Sequence, residues 1–188
     1  MTEPAFPSTQ TAEAHFVGNL YGVNKRALGG NSADRAVLAR LRRSLGVRDL
    51  SLAALRDVGM WLPERLEDDT IGEDDALDAY LLTAALFALY QPPATHTSSD
   101  RPSFGKTLRG LRGDLSAGAE SLDRRMTALL DADRDELPYR LRQLVQMLKG
   151  TRHVPDWQYL LWSLLRWDDP SRQVQRRWAR DYWTGASN

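Results

Sequence analysis

The chain has 188 residues, 42% apolar and 27% charged, with 25 Lys and Arg balanced by 25 Asp and Glu. The balance excludes a uniformly basic protein, the apolar fraction excludes a disordered one, and the length fits one domain of about 100–200 residues. With no cysteine, a disulfide framework, a thiolate nucleophile, an iron–sulfur cluster and a Cys-ligated zinc site are excluded, and a reducing compartment is the simpler expectation.

The start of the chain, MTEPAFPSTQTAEAHF, lacks the basic start and continuous apolar run of a secretory signal. With 29 Leu and 21 Ala against 8 Val and 1 Ile, the composition favours helix formers over the β-branched residues that strands prefer. The fold class predicted is all-α, a bundle of about eight to nine helices in two lobes. In chain order, punctuation and periodicity predict helices over 11–27, 32–45 (capped by Asn31/Ser32, stopped at Gly46), 51–62, 74–90, 103–115, 119–131, 135–149 (stopped at Gly150), 156–166 and 171–183. The apolar stretch Ala79 to Tyr90 is 12 residues long, short of the ~18–20 that cross a bilayer, and reads as a buried core helix. No membrane association and a cytoplasmic location are expected. The segment QPPATHTSSDRP, residues 91–102, reads as the linker between an N-terminal lobe over 1–92 and a C-terminal lobe over 103–188, together one compact unit.

Apolar residues recur at helical spacing as Val37/Leu38/Leu41/Leu45, Leu122/Met126/Leu129/Leu130 and Leu137/Leu141/Leu144/Val145/Leu148, which are packing stripes. Trp157, Trp162, Trp167, Trp178 and Trp183 crowd the last third. They either fill the space between the final helices or form a partner surface. Charge is segregated: residues 64–78 carry eight acids and one base, a net of −7, whereas 139–188 carry nine bases and four acids, a net of +5. Such sectors permit a local nucleic-acid footprint on a neutral protein, although 22 Arg against 3 Lys is also what a GC-rich genome and solvated helix faces produce.

Catalytic motifs fail. Gly105-Lys106-Thr107 resembles the end of a phosphate-binding loop, but Asp100 stands where that loop needs its first glycine and no strand leads in. His15, His96 and His153 show no metal-ligand spacing, and no Gly-x-Ser-x-Gly elbow supports a hydrolase. The acidic run 64–78 leaves a metal-dependent nuclease as a remote alternative. Asp74 and Asp75 equally suit a helix N-terminus. No enzyme and no cofactor are implied.

Helical geometry narrows which bases can face outward. Arg42 lies at the edge of its apolar stripe and Arg43 nearly opposite it; Arg124 faces solvent and Arg125 borders the core, where a structural ion pair with an acid competes. Arg142 and Lys149 share one flank, about 10 Å apart along the axis, a spacing that can follow a phosphate backbone. Lys106 sits near the start of its helix. Arg172, Arg176 and Arg180 repeat at i, i+4, i+8 and, with Arg177, form the densest basic face.

The order of motifs is more specific than any one of them: Leu41-Arg42-Arg43, an Ala-rich helix ending LFALY, Ser103-Phe104-Gly105-Lys106-Thr107-Leu108, Ser121-Leu122-Asp123-Arg124-Arg125, Leu137-Pro138-Tyr139-Arg140-Leu141-Arg142-Gln143-Leu144, then Asp156-Trp157 leading to Leu164-Leu165-Arg166-Trp167. Over roughly residues 12–183 this order resembles the small subunit of the type I-E CRISPR surveillance complex Cascade, the CasB family. The resemblance implies a non-catalytic, two-lobed helical subunit that pairs head to tail with a second copy. Its partners would be the other Cascade subunits, guide RNA and the displaced single strand of target DNA in the R-loop. It implies a second base after Arg142, where this chain has Gln143. Arg42, Arg43, Lys106, Arg124, Arg125, Arg142, Lys149, Arg172 and Arg176 are the candidate nucleic-acid residues. A helical protein–protein adaptor with a Trp-rich C-terminal surface is the alternative.

Overall fold

The computed structural model describes residues 11–45, 52–66, 71–93, 101–115 and 117–184. Among them, nine α-helices run in the predicted order: α1 Ala12–Leu28, α2 Ser32–Ser44, α3 Leu52–Val58, α4 Glu73–Tyr90, α5 Phe104–Asp114, α6 Ala119–Leu130, α7 Leu137–Leu148, α8 Trp157–Leu165 and α9 Gln173–Trp183. The predicted helix over 51–62 is shorter, because the chain tightens into a 3-10 turn at Gly59–Trp61, which starts on glycine, a weaker helix former than any residue but proline. Another 3-10 turn at Arg134–Glu136 precedes α7, so that Pro138 falls in the first turn, where its missing N–H costs no helical bond. Gly46 and most of the predicted linker lie outside the described residues.

Local chemistry sets these boundaries. Asn31 accepts from the Asp34 amide at 3.1 Å, Ser103 from Lys106 at 3.2 Å and Asp156 from Tyr159 at 2.8 Å. Each side chain caps amides that the first turn leaves unpaired. Beyond α7, Gly150 takes φ +80°, a conformation that glycine adopts without a Cβ penalty. The α4 N-terminus carries Glu73, Asp74 and Asp75 in its first turn, complementing the helix dipole.

The core is built around α4, which is buried on every side from Ala79 to Tyr90. It packs against α1, α2 and α3 and also against α7 and α8. The stripe Phe16, Leu20 and Val23 of α1 is buried, as are Leu38 and Leu41 of α2 and Leu141, Leu144 and Leu148 of α7. In the rest of the bundle α5 lies along α9 and α6 along α7, while α8 also reaches α1. Aromatic rings fill the seams: Trp157 meets Phe87 edge-on with ring centres 5.4 Å apart, and Trp178 lies between Phe104 and Trp167 at 5.2 and 5.3 Å. Trp157, Trp162, Trp167 and Trp178 are all buried. Of the five C-terminal tryptophans only Trp183, 48% exposed, faces solvent, so a Trp-lined partner surface is not what this part of the chain builds.

Candidate nucleic-acid interface

A cation already held by a carboxylate has less uncompensated charge and fewer free N–H groups to offer a phosphate, so the partners of each arginine sort the candidates. On α2, Arg42 and Arg43 are both exposed. The link between α2 and α3 is Arg40, whose guanidinium makes a two-pronged bond to Asp57 at 2.7 and 2.8 Å. Arg26 similarly clamps Asp34 at 2.9 and 3.0 Å, joining α1 to α2.

On α6 the two neighbours diverge as the helical angles predict. Arg124 keeps 75% of its side chain exposed, with Glu120 at 4.0 Å, a pairing between exposed groups that holds little energy. Arg125 bends onto α7, where its Nη1 donates to Gln143 Oε1 at 2.9 Å, so its partner is an amide rather than an acid. The neutral side chain after Arg142 is thereby used to fasten α6 to α7. That contact also places Arg124 on the helix neighbouring Arg142. Arg142 and Lys149 are exposed on α7 and its C-terminal cap, and Tyr139, 61% exposed, stands one turn before Arg142. Sequence reasoning passed over Tyr139. The signal was there, since an aromatic at i−3 from an outward base lies on the same flank.

The C-terminal basic face is sparser than the i, i+4, i+8 repeat predicts. Arg172 precedes α9 rather than lying in it; its backbone takes φ 52° and its guanidinium turns back to the Leu130 carbonyl at the end of α6. Arg177 is a correction: it is half-buried, with its guanidinium 5.5 Å from the Tyr159 ring centre and Asp181 at 3.9 Å. Arg180 has Asp181 at 3.7 Å. Arg176 and Arg180 are both exposed, and Arg176 is an outward base of this helix.

Lys106 is exposed at the start of α5, on the rim of a cleft of about 320 Å³ that it shares with Arg101, Arg109, Arg177 and Asp181. Four cations against one carboxylate make this cleft electropositive. Arg101 bonds Asp156 at 3.0 Å and Arg109 the Thr184 carbonyl at 2.8 Å. These long-range bonds converge at a place no helical period marks.

Other charged groups are structural. Asp123 accepts both prongs of Arg112, at 2.8 and 3.1 Å, and the Tyr182 hydroxyl at 2.6 Å, tying α5, α6 and α9 together. Arg112 foremost holds the Asp123 carboxyl below the usual range, while burial, then Asp123, pushes the Tyr182 phenol up. His153 bonds Asp114 at 2.7 Å, the main cause of the lowered Asp114 carboxyl. Asp75 of the acidic run faces Arg134 at 3.7 Å. Among the described residues no three His, Cys, Asp or Glu gather closely enough to hold a metal ion, and no helix is long and apolar enough to cross a membrane.

Among the described residues, nine helices around a Leu- and Trp-filled core, with some arginines clamped inward and others turned to solvent, define an all-α protein. The family model for CRISPR-associated protein Cse2 matches residues 37–183. The chain belongs to the CRISPR-associated Cse2 family. A Cse2 protein of Thermus thermophilus is 40% identical over 111 residues, a match covering 58% of this chain and 59% of that relative's length. The crystal structure of CasB from Thermus thermophilus is similar at TM-score 0.64 and 34% identity, over 88% of this chain and 96% of that one. A chain of a CRISPR RNA-guided surveillance complex is similar at TM-score 0.69 and 26% identity, over 92% of this chain and 93% of that one. The resemblance of the motif order to CasB is thus borne out, together with the all-α class.

Proposed function

We propose that this protein is a non-catalytic subunit of a type I-E Cascade, joined to the other subunits and guide RNA, which holds the displaced strand of target DNA in the R-loop. The observation carrying this reading is the group of exposed bases Arg42, Arg43, Arg142, Lys149 and Arg176, for which no ion pair is found among the described residues, on a family member whose structural neighbours include a chain of an RNA-guided surveillance complex. Unpaired cations neutralise phosphates and release counterions, giving sequence-independent, salt-sensitive binding. Tyr139, beside Arg142, offers a ring on which an unpaired base can stack. Because exchanging a DNA duplex for a guide–target duplex is nearly balanced, holding the displaced strand biases the R-loop open. Two lobes sharing α4, paired head to tail with a second copy, would lengthen the track. The test is to assemble the complex with an Arg43→Glu/Arg142→Glu chain and crosslink each DNA strand of an R-loop. The expected result is reduced crosslinking of the displaced strand and a shorter-lived R-loop, with helix content unchanged by circular dichroism. Unaltered crosslinking and lifetime would remove both residues from the site.

A further inference from the structure

Of the six tryptophans, Trp157, Trp162, Trp167 and Trp178 are buried and Trp61 is partly buried against the core. Trp183, in the last turn of α9, is 48% exposed, so much of its indole is not used in packing. Its backbone is nevertheless anchored. The Thr184 amide closes the helix on the Arg180 carbonyl at 2.8 Å, and Arg109 of α5 donates to the Thr184 carbonyl at 2.8 Å. Tyr182 is buried, donates to Asp123 at 2.6 Å and meets the Trp183 ring near its edge, with centres 4.5 Å apart. A flat apolar face is thus held toward solvent on a fixed helix end, and a ring held this way loses little freedom when something stacks on it.

A second, independent observation is the charge around that ring. At about 100° per residue, Arg176, Arg180 and Trp183 fall within one sector of about 60°, with Trp183 roughly 4.5 and 10.5 Å farther along the axis than Arg180 and Arg176. Both arginines are exposed. Asp181, the one acid of α9, lies roughly 160° around the axis from Trp183 and lines the electropositive cleft at the other edge of the helix. An occupant that suits this face carries a flat π surface and, a few ångströms away, a negative charge. An unpaired nucleotide carries both. A paired base does not offer its face without leaving the duplex stack, which costs energy.

We propose that Trp183 is a stacking platform for a base of the displaced single DNA strand, with Arg176 and Arg180 facing the phosphates beside it, so that this face of α9 selects unpaired DNA over duplex. The proposal rests on the reading of the chain as a holder of that strand and adds a contact with the bases themselves.

The experiment measures binding of the full chain at low salt to an oligothymidylate and to a duplex of equal length, by fluorescence anisotropy. Trp183→Leu keeps an apolar side chain and Trp183→Phe keeps a ring, and circular dichroism checks that both fold. The leucine variant is expected to bind the single strand roughly tenfold more weakly and the duplex unchanged. Its slope of log affinity against log salt should match wild type, since an indole displaces no counterion. The phenylalanine variant is expected to keep most of the affinity. Full affinity in the leucine variant, equal losses on both DNAs, or equal losses in both variants would each overturn the proposal. In the wild-type chain the oligothymidylate should shield the exposed indole from acrylamide quenching, and a hexaglutamate peptide should not; shielding by the peptide instead would assign the face to an acidic protein segment. In the assembled complex the leucine variant should shorten the R-loop lifetime with guide RNA retained, whereas loss of guide RNA would place the ring on the guide and overturn the proposal. A chain that binds neither DNA ends the underlying reading as well, while binding that ignores Trp183 ends this proposal alone.

Discussion

A Cβ atom at Gly105 would stand 2.1 Å from the Trp178 carbonyl oxygen and 2.9 Å from its Cα, so α5 and α9 touch backbone to backbone at this point. The glycine of Gly105-Lys106-Thr107 is a packing residue, and the motif's likeness to a phosphate loop has this origin. Gly105→Ala meets fixed backbone rather than a yielding side chain. Overpacking of this kind costs roughly 1–3 kcal/mol or more, and a fall in melting temperature of several degrees is expected. A melting temperature equal to wild type would mean that the two helices separate freely.

Replacing Trp157 tests the seam between α4 and α8. Its ring is 1% exposed and touches both Phe87 and Tyr90, at 5.4 and 5.7 Å between centres. Trp157→Ala is expected to cost about 3–5 kcal/mol in chemical denaturation. The indole Nε1 is buried with no hydrogen-bond partner, so Trp157→Phe removes an unsatisfied donor along with the lost volume. The phenylalanine variant should keep most of the stability; equal losses in the two variants would show that the indole N–H matters.

The helices were legible because their signals are local. Asn31, Ser103 and Asp156 cap where their side chains can reach amides three residues on, and the run Ala79 to Tyr90 is apolar on all faces because α4 is buried on all faces. The charged exterior was legible only in part. Helical angles distinguished Arg124 from Arg125, yet the inward arginines find partners set by tertiary packing: Arg40 at Asp57, Arg134 at Asp168 and Arg177 beside Tyr159. Period 3.6 says which way a side chain leaves its helix and nothing about what waits there. Arg172 escaped for a different reason, since its positive φ breaks the repeat to which its spacing assigned it.

Asp123 carries a pH signature. Its folded-state carboxyl titrates below the ordinary value, chiefly through Arg112, so its contribution is complete above the unfolded carboxylate value of about 3.9 and is lost as pH falls through the lower folded value. Asp123→Asn lacks this titration. The gap in melting temperature between wild type and variant should hold steady from neutral pH to about pH 5 and narrow below the unfolded value of about 3.9. A gap that stays constant down to pH 2 would mean that the ionised carboxylate adds nothing over the amide.

Arg124 and Arg125 are adjacent in sequence and opposite in predicted effect. Arg125 holds Gln143 across the α6–α7 seam, and Arg125→Ala is expected to lower stability by about 1 kcal/mol, the net worth of a typical hydrogen bond. Arg124 spends almost nothing on the fold, because its contact with Glu120 joins two exposed side chains at 4.0 Å. Arg124→Ala should leave the melting temperature within a degree of wild type. If its guanidinium meets a phosphate, the slope of log affinity for single-stranded DNA against log salt should become shallower by about 0.7. Fluorescence anisotropy over a salt series measures that slope in the assembled complex. An unchanged slope for Arg124→Ala would take Arg124 off the strand's path, leaving Arg142 and Lys149 of the neighbouring helix as the bases to test next.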